Sequence, residues 1–159
     1  PQPFPMPLVL LIAHLIGRLI ECLCVHRFSL CEAMPVFNFI AGASFYVFCV
    51  LTVAHVDLSP VVPPEAPSPL ILLAVMALFS LARFRQFECH WSLAIIRPAG
   101  MNMQNEQRHY RVPIGKPFRF LACPHYFFEI LVYCCVFLLK PELNTSLLLL
   151  FVAVNLLHR

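Results

Sequence analysis

Hydrophobic positions in this chain fall into long, nearly unbroken runs separated by short polar links. Five such runs can be read, at about 7–25, 35–55, 69–96, 120–139 and 143–157. None shows the strict alternation of a half-buried strand, and their length favours helices that are apolar nearly all round. Prolines stand at or near the start of several, at Pro7, Pro35, Pro69 and Pro141, where a missing N–H costs least. The third run turns polar midway, at Arg83. The Pro-rich stretch 59–69 reads as a stiff interhelical loop. With no internal repeat, Gly-rich loop or soluble domain, residues 1–159 are expected to form a single all-α membrane domain, a polytopic transmembrane helical bundle.

Composition strengthens that expectation. The chain is 60% hydrophobic and 12% charged, with a mean hydropathy of +0.81, whereas a soluble domain carries roughly 25% charged residues. Its 159 residues are enough for about five spans of ~20 residues each. The distribution of charge says more than the net value of +3. The link 56–68 has no Lys or Arg and carries Asp57 and Glu65. The link around 97–118, with its flanking helix ends, has Arg83, Arg85, Arg97, Arg108, Arg111, Lys116 and Arg119. This asymmetry predicts that 97–118 faces the cytosol and the N-terminus the opposite side. The apolar start lacks a basic n-region, so it is not read as a signal peptide. The chain opens on Pro1 and not on methionine, which suggests a processed chain or a piece of a longer one.

The eight cysteines contain no CxxC pair, and Cys22-Leu-Cys24 with Cys134-Cys135 makes no zinc pattern. Buried free thiols are expected. Asn144-Thr145-Ser146 matches a glycosylation acceptor but abuts an apolar run, so it is expected to be unused.

Ionisable residues inside apolar runs are costly and mark functional sites by default. His14, Arg18 and Glu21 lie four and three residues apart, Gln86 and His90 four apart, and His125 and Glu129 four apart. Each set therefore shares one helix face. Arg18 with Glu21 reads equally well as an interfacial ion pair or as part of a site. Arg83 and Arg85 fit a solvated helix end, while Gln86 and His90 sit among Phe84, Phe87 and Trp91. Glu129 is followed by ten apolar residues, which makes the 125/129 pair the hardest to explain without a partner.

These residues also form an ordered set of motifs: Arg18-Leu-Ile-Glu21-Cys-Leu23 with Val25, Phe28 and Ser29, then Gln86-Phe-Glu-Cys-His90 with Arg97, then His109-Tyr-Arg-Val-Pro-Ile-Gly115 and Phe118, then Pro124-His-Tyr-Phe-Phe-Glu129. In order and spacing the chain resembles the steroid 5α-reductase family, most closely its polyprenal reductase branch, over nearly its whole length. The resemblance implies a helical membrane fold of the 3-oxo-5-alpha-steroid 4-dehydrogenase type that buries NADPH among its helices. It implies cofactor contacts from Gln86, His90, Arg97, Tyr110, His125, Glu129 and Arg159. The 125/129 pair usually reads Asn and Glu in the family. The expected reaction is NADPH-dependent reduction of the α-isoprene double bond of polyprenal to dolichal, for dolichol synthesis and protein N-glycosylation. The expected location is the endoplasmic-reticulum membrane, crossed several times. The expected partners are a long-chain isoprenoid lipid and the bilayer, with no nucleic acid. His14 is the candidate proton donor.

Position 15 is Leu, where steroid reductases have a carbonyl-binding Tyr, which favours a prenyl over a 3-oxo-steroid substrate. The family carries further spans upstream and a tail downstream, so the chain is expected to be a central piece, inactive alone. Two other readings stay open. One is a membrane isoprenylcysteine-type methyltransferase, although residues 123–125 read Cys-Pro-His where that family has Arg-His-Pro. The other is a non-catalytic membrane piece.

Overall fold

The computed structural model describes residues 6–26, 35–54, 67–96, 113 and 116–158. Their order is α1 (Met6–Ile20), a π-helical turn (Glu21–Val25), α2 (Val36–Ala54), α3 (Pro69–Ile96), α4 (Lys116–Phe120), α5 (Pro124–Leu139) and α6 (Leu143–Leu157). Among the described residues there is no strand, and the all-α expectation holds.

α5 is the hub. It packs along α3, α1 and α6, while α2 closes against α1 and α6. The helices meet in two apolar clusters. One joins Leu11, Cys49, Val53, Tyr133, Val136, Leu148 and Val152 from α1, α2, α5 and α6. The other joins Leu10, Val75, Phe79, Ala82, Val132 and Cys135 from α1, α3 and α5. Large apolar side chains such as Phe37, Leu51, Leu73 and Phe151 remain on the outside, whereas His14, Glu21, Gln86, His90 and Thr145 are buried. An apolar exterior around a polar interior is the arrangement a bilayer favours, since lipid solvates the outer side chains and the polar ones must satisfy each other.

The helices refine the expected segments in two places. The fourth run does not start at 120: a short helix ends at Phe120, and α5 begins at Pro124. Proline at the first helical position disfavours helical backbone in the residue before it, so the chain breaks there. In the number of spans, α1 with its π-turn, α2 and α3 are long and apolar enough to cross a membrane, while α5 and α6 are apolar but stop at 16 and 15 residues. Arg83 does not interrupt α3, which runs 28 residues, or about 42 Å at 1.5 Å per residue. That exceeds a hydrocarbon core of ~30 Å, so one end of α3 reaches the polar interface. The C-terminal end carries Arg83, Arg85, Gln86, Glu88 and His90.

α6 starts where the Glu142 N–H donates to Thr145 Oγ1 at 3.1 Å and the Ser146 hydroxyl donates to the Glu142 carbonyl at 2.8 Å. The Lys140 ammonium donates to the Val53 carbonyl at 3.0 Å, tying the α5–α6 corner to the end of α2. The seven described cysteines are free, as expected, but only Cys49, Cys89 and Cys135 are buried, and Cys24 and Cys123 are exposed.

Candidate functional site

Three elements bring polar side chains into one buried junction: α1 with its π-turn, the C-terminal part of α3, and the N-terminal half of α5. The π-turn is the local device. The His26 N–H reaches back to the Glu21 carbonyl at 2.9 Å, an i→i+5 bond that widens the helix, and Glu21 is left 2% exposed. Such turns recur at functional sites.

Glu129 lies at the centre. Its Oε1 accepts from His14 Nε2 at 2.9 Å, its Oε2 accepts from the Gln86 amide, and Arg18 Nε stands 3.7 Å from Oε2. One carboxylate thus gathers α1, α3 and α5. Beside it, Glu21 takes two guanidiniums: Arg18 donates to Oε2 at 2.5 Å and Arg83 to Oε1 at 2.9 Å. Arg83 also donates to the Gln86 carbonyl oxygen, which orients the amide so that its NH2 faces Glu129. Gly17 makes room for this crossing, because a Cβ there would lie 3.3 Å from Arg83 Cζ and collide with its terminal nitrogen.

The histidine tautomers follow from the donors. A guanidinium only donates, and Arg18 is 2.6 Å from His90 Nε2, so that nitrogen is the acceptor and His90 carries its proton on Nδ1. That N–H points at His26 Nε2, 3.2 Å away. The His90 ring also lies 5.2 Å, centre to centre, from His125. His14 donates through Nε2, and its ring meets Tyr133 edge-on at 5.6 Å. The two guanidiniums of Arg18 and Arg83 and the two carboxylates of Glu21 and Glu129 balance in charge, which lets a buried cluster persist.

Two ring nitrogens break the pattern. His14 Nδ1 and His125 Nδ1 are buried with no hydrogen-bond partner, each a cost of about 1–3 kcal/mol. Open nitrogens beside a carboxylate with spare lone pairs suit a ligand bearing N–H donors. A nicotinamide carboxamide has that chemistry, so the residues fit the cofactor expected from the sequence.

The sequence-predicted residues divide accordingly. His14, Gln86, His90, His125 and Glu129 come together at this junction. Arg97, Tyr110 and Arg159, with the basic loop 97–112, lie outside the described residues. Arg83 is the clear miss: expected on a solvated helix end, its side chain is 16% exposed and paired with Glu21, whereas Arg85 is 45% exposed and, among the described residues, pairs with Glu88 on its own helix. The signal was present, since Arg83, Gln86 and His90 are spaced three and four apart on one face. Gly17 and His26 were also missed; a glycine one turn before the Glu of an apolar helix is a sign of close approach.

Comparison with known proteins gives a consistent family. Residues 32–159 match the sequence profile described as 3-oxo-5-alpha-steroid 4-dehydrogenase. The chain is 32% identical over 132 residues to the very-long-chain enoyl-CoA reductase of Dictyostelium discoideum, covering 83% of this chain and 41% of that protein. It is 31% identical over 157 residues to the polyprenal reductase of Xenopus tropicalis, covering 94% of this chain and 50% of that protein. The chain therefore spans half or less of the length of these relatives. No solved structure matches it.

Proposed function

This chain belongs to the 3-oxo-5-alpha-steroid 4-dehydrogenase family, and from that premise we propose that it carries the cofactor-binding part of an NADPH-dependent membrane reductase that saturates the α-isoprene double bond of polyprenal. The observation that carries this reading is Glu129, a carboxylate held among three helices by His14, Gln86 and Arg18 with acceptor capacity to spare. Glu129 would accept the carboxamide N–H of the nicotinamide, with Gln86 and His14 fixing the carboxylate's rotamer. His125 would offer its open Nδ1 to the same ligand, and His90 would stand on the α3 side of the site. Arg97, Tyr110 and Arg159 are assigned to the rest of the cofactor, with Arg97 and the basic loop on its phosphates, where a planar guanidinium fork is the best partner.

The bound cofactor supplies a hydride to the β carbon of an α,β-unsaturated aldehyde. The protein's share is to orient the aldehyde, stabilise charge on its oxygen and deliver a proton to the α carbon. His14 is the proposed donor. The proton it would give is the Nε2–H that it donates to Glu129. A long isoprenoid substrate would require the site to open sideways to lipid. Leu15 cannot donate a hydrogen bond, which argues against a 3-oxo-steroid.

A second reading is favoured by a specific likeness: the Dictyostelium relative is an enoyl-CoA reductase at comparable identity. It uses the same conjugate reduction on a thioester. The polyprenal reading is preferred because the Xenopus relative also aligns across 94% of the chain, against 83% for the reductase of Dictyostelium. Endoplasmic-reticulum residence and a role in dolichol supply for N-glycosylation belong to this proposal. The test is to express the full-length protein in membranes and supply NADPH with polyprenal, a long-chain 2-enoyl-CoA or a 3-oxo-Δ4 steroid. Polyprenal should be reduced with the highest kcat/KM; a higher value for either of the others overturns the substrate assignment.

A further inference from the structure

Glu21 is not needed to explain the contacts of Glu129, yet it is one of the most buried charges in the molecule. Its side chain is 3% exposed, and each oxygen takes a different guanidinium, Arg83 at 2.9 Å and Arg18 at 2.5 Å. Arg83 arrives from α3 across Gly17, the residue whose missing side chain makes the crossing possible. The π-turn begins at Glu21 itself. Two separate features of the backbone, Gly17 and the π-turn, thus serve one ion-pair geometry.

Its consequence is seen at Arg18. That guanidinium stands between two carboxylates. Through NH1 it is bonded to Glu21, while its Nε is 3.7 Å from Glu129 Oε2, too far for a hydrogen bond. A guanidinium fork binds a carboxylate best through two parallel N–H bonds. Without Glu21, the nearest carboxylate for Arg18 is Glu129, and a shift of about 1 Å would bring it into hydrogen-bond range. Glu129 already accepts from His14 and Gln86, and a bidentate Arg18 would take the lone pairs that remain.

We infer that Glu21 is a positioning residue: it holds Arg18 and Arg83 on its own carboxylate and so keeps Glu129 open to an amide ligand. The inference rests on the reading of Glu129 as the acceptor for the nicotinamide carboxamide, and it adds the device that keeps that acceptor vacant. Glu21 touches neither cofactor nor substrate in this role.

The test compares two cofactors on the purified full-length protein by equilibrium dialysis: NADPH, and its 3-acetylpyridine analogue, in which a methyl ketone replaces the carboxamide and the N–H donors are lost. The wild type should bind NADPH about tenfold tighter, the worth of a hydrogen bond to a charged acceptor. Equal affinities in the wild type would remove the reading of Glu129, and this inference with it. Given a wild-type preference, Glu21→Gln should reduce it to about twofold or less, because Arg18 closes on Glu129. The double variant Glu21→Gln/Arg18→Met should regain it. A purely structural role for Glu21 would weaken both cofactors equally and leave their ratio at the wild-type value, which overturns the inference. Glu21→Asp keeps the charge but shortens the reach, and it serves if the Gln variant does not accumulate. Its preference should fall about threefold, and an unchanged ratio there overturns the inference in the same way.

Discussion

The two ends of α5 solve opposite problems with the same partners. Towards its N-terminus, Glu129 meets α1 and α3 through hydrogen bonds and an ion pair, and the His125 ring packs against His90 of α3. One turn on, Val132, Tyr133, Cys135 and Val136 meet α1, α2, α3 and α6 mainly through apolar contact, apart from a long approach of the Tyr133 hydroxyl to Cys49 Sγ at 4.0 Å and the edge-on contact of the Tyr133 ring with His14. In lipid, apolar surface gains little by leaving one hydrocarbon environment for another, so the apolar end is held by close packing. The polar end is held by the cost of leaving charge unpaired in a medium that cannot solvate it. The first kind of contact yields gradually when trimmed. The second fails as a unit, because each group satisfies the next.

Glu129→Ala tests that difference most severely. It strands the His14 and Gln86 donors and leaves the charges of Arg18, Arg83 and Glu21 out of balance. Removing one partner of a buried ionic network costs about 3–5 kcal/mol. Thermal unfolding of the full-length protein in detergent should show a loss of that size, together with loss of NADPH binding. A variant of wild-type stability would show that Glu129 is solvated and not buried among its partners.

At the apolar end, Leu148→Ala removes a side chain that is 3% exposed between α5 and α2. The expected loss is about 2–3 kcal/mol from the cavity and lost dispersion contacts. NADPH affinity should stay within twofold of wild type once the variant is folded. A large change in affinity would mean that the two ends of α5 are coupled and the contrast is false.

How much of this was legible in the sequence follows from the same contrast. The helices were read closely because long apolar runs with prolines at their starts leave a lipid-embedded chain few alternatives; α6 begins and ends where its run predicted, at Leu143 and Leu157. The i,i+4 spacing put His125 with Glu129 and Gln86 with His90 on common faces, and the structure joins all four to His14. What the sequence hid is the pairing between helices. Arg83 and Arg85 are chemically the same and two positions apart, so composition cannot say which points inward. That depends on how α3 lies beside α1, where the Arg83 guanidinium passes over Gly17. The break before Pro124 was legible in principle from proline chemistry, and the π-turn at Glu21 was not, because no residue type encodes an i→i+5 bond.

Gly17→Ala sharpens the comparison at the contact between α1 and α3. Alanine is the better helix former by about 1 kcal/mol, so an exposed glycine in α1 would gain from the change. Here the new methyl would meet the Arg83 guanidinium and push it off Glu21. Overpacking of this kind costs about 1–3 kcal/mol, so a net loss of about 1–2 kcal/mol is expected. Stabilisation would show that Arg83 has room to move and that the glycine is incidental.

The smallest expected effect belongs to Arg85, and it completes the contrast with Arg83. Arg85 bonds Glu88 at 2.9 Å on its own helix, with side chains 45% and 40% exposed. Both charges remain solvated at the interface end of α3, so the pair gains little attraction and gives up side-chain freedom to form. Exposed pairs of this geometry are worth about 0.3–0.5 kcal/mol. Arg85→Ala should therefore shift stability by no more than about 0.5 kcal/mol and leave NADPH affinity unchanged. Arg83→Ala, two residues earlier, removes a partner of Glu21 and of Gln86 and should behave like the Glu129 variant, at about 3 kcal/mol. Measured side by side, the two alanine variants ask whether the position of an arginine on the helix, and not its charge, decides its effect. Equal losses from the two would mean that the face of α3 carrying Arg85 is also buried, against a helix outside the described residues, and the division between a polar interior and a solvated end would have to be redrawn.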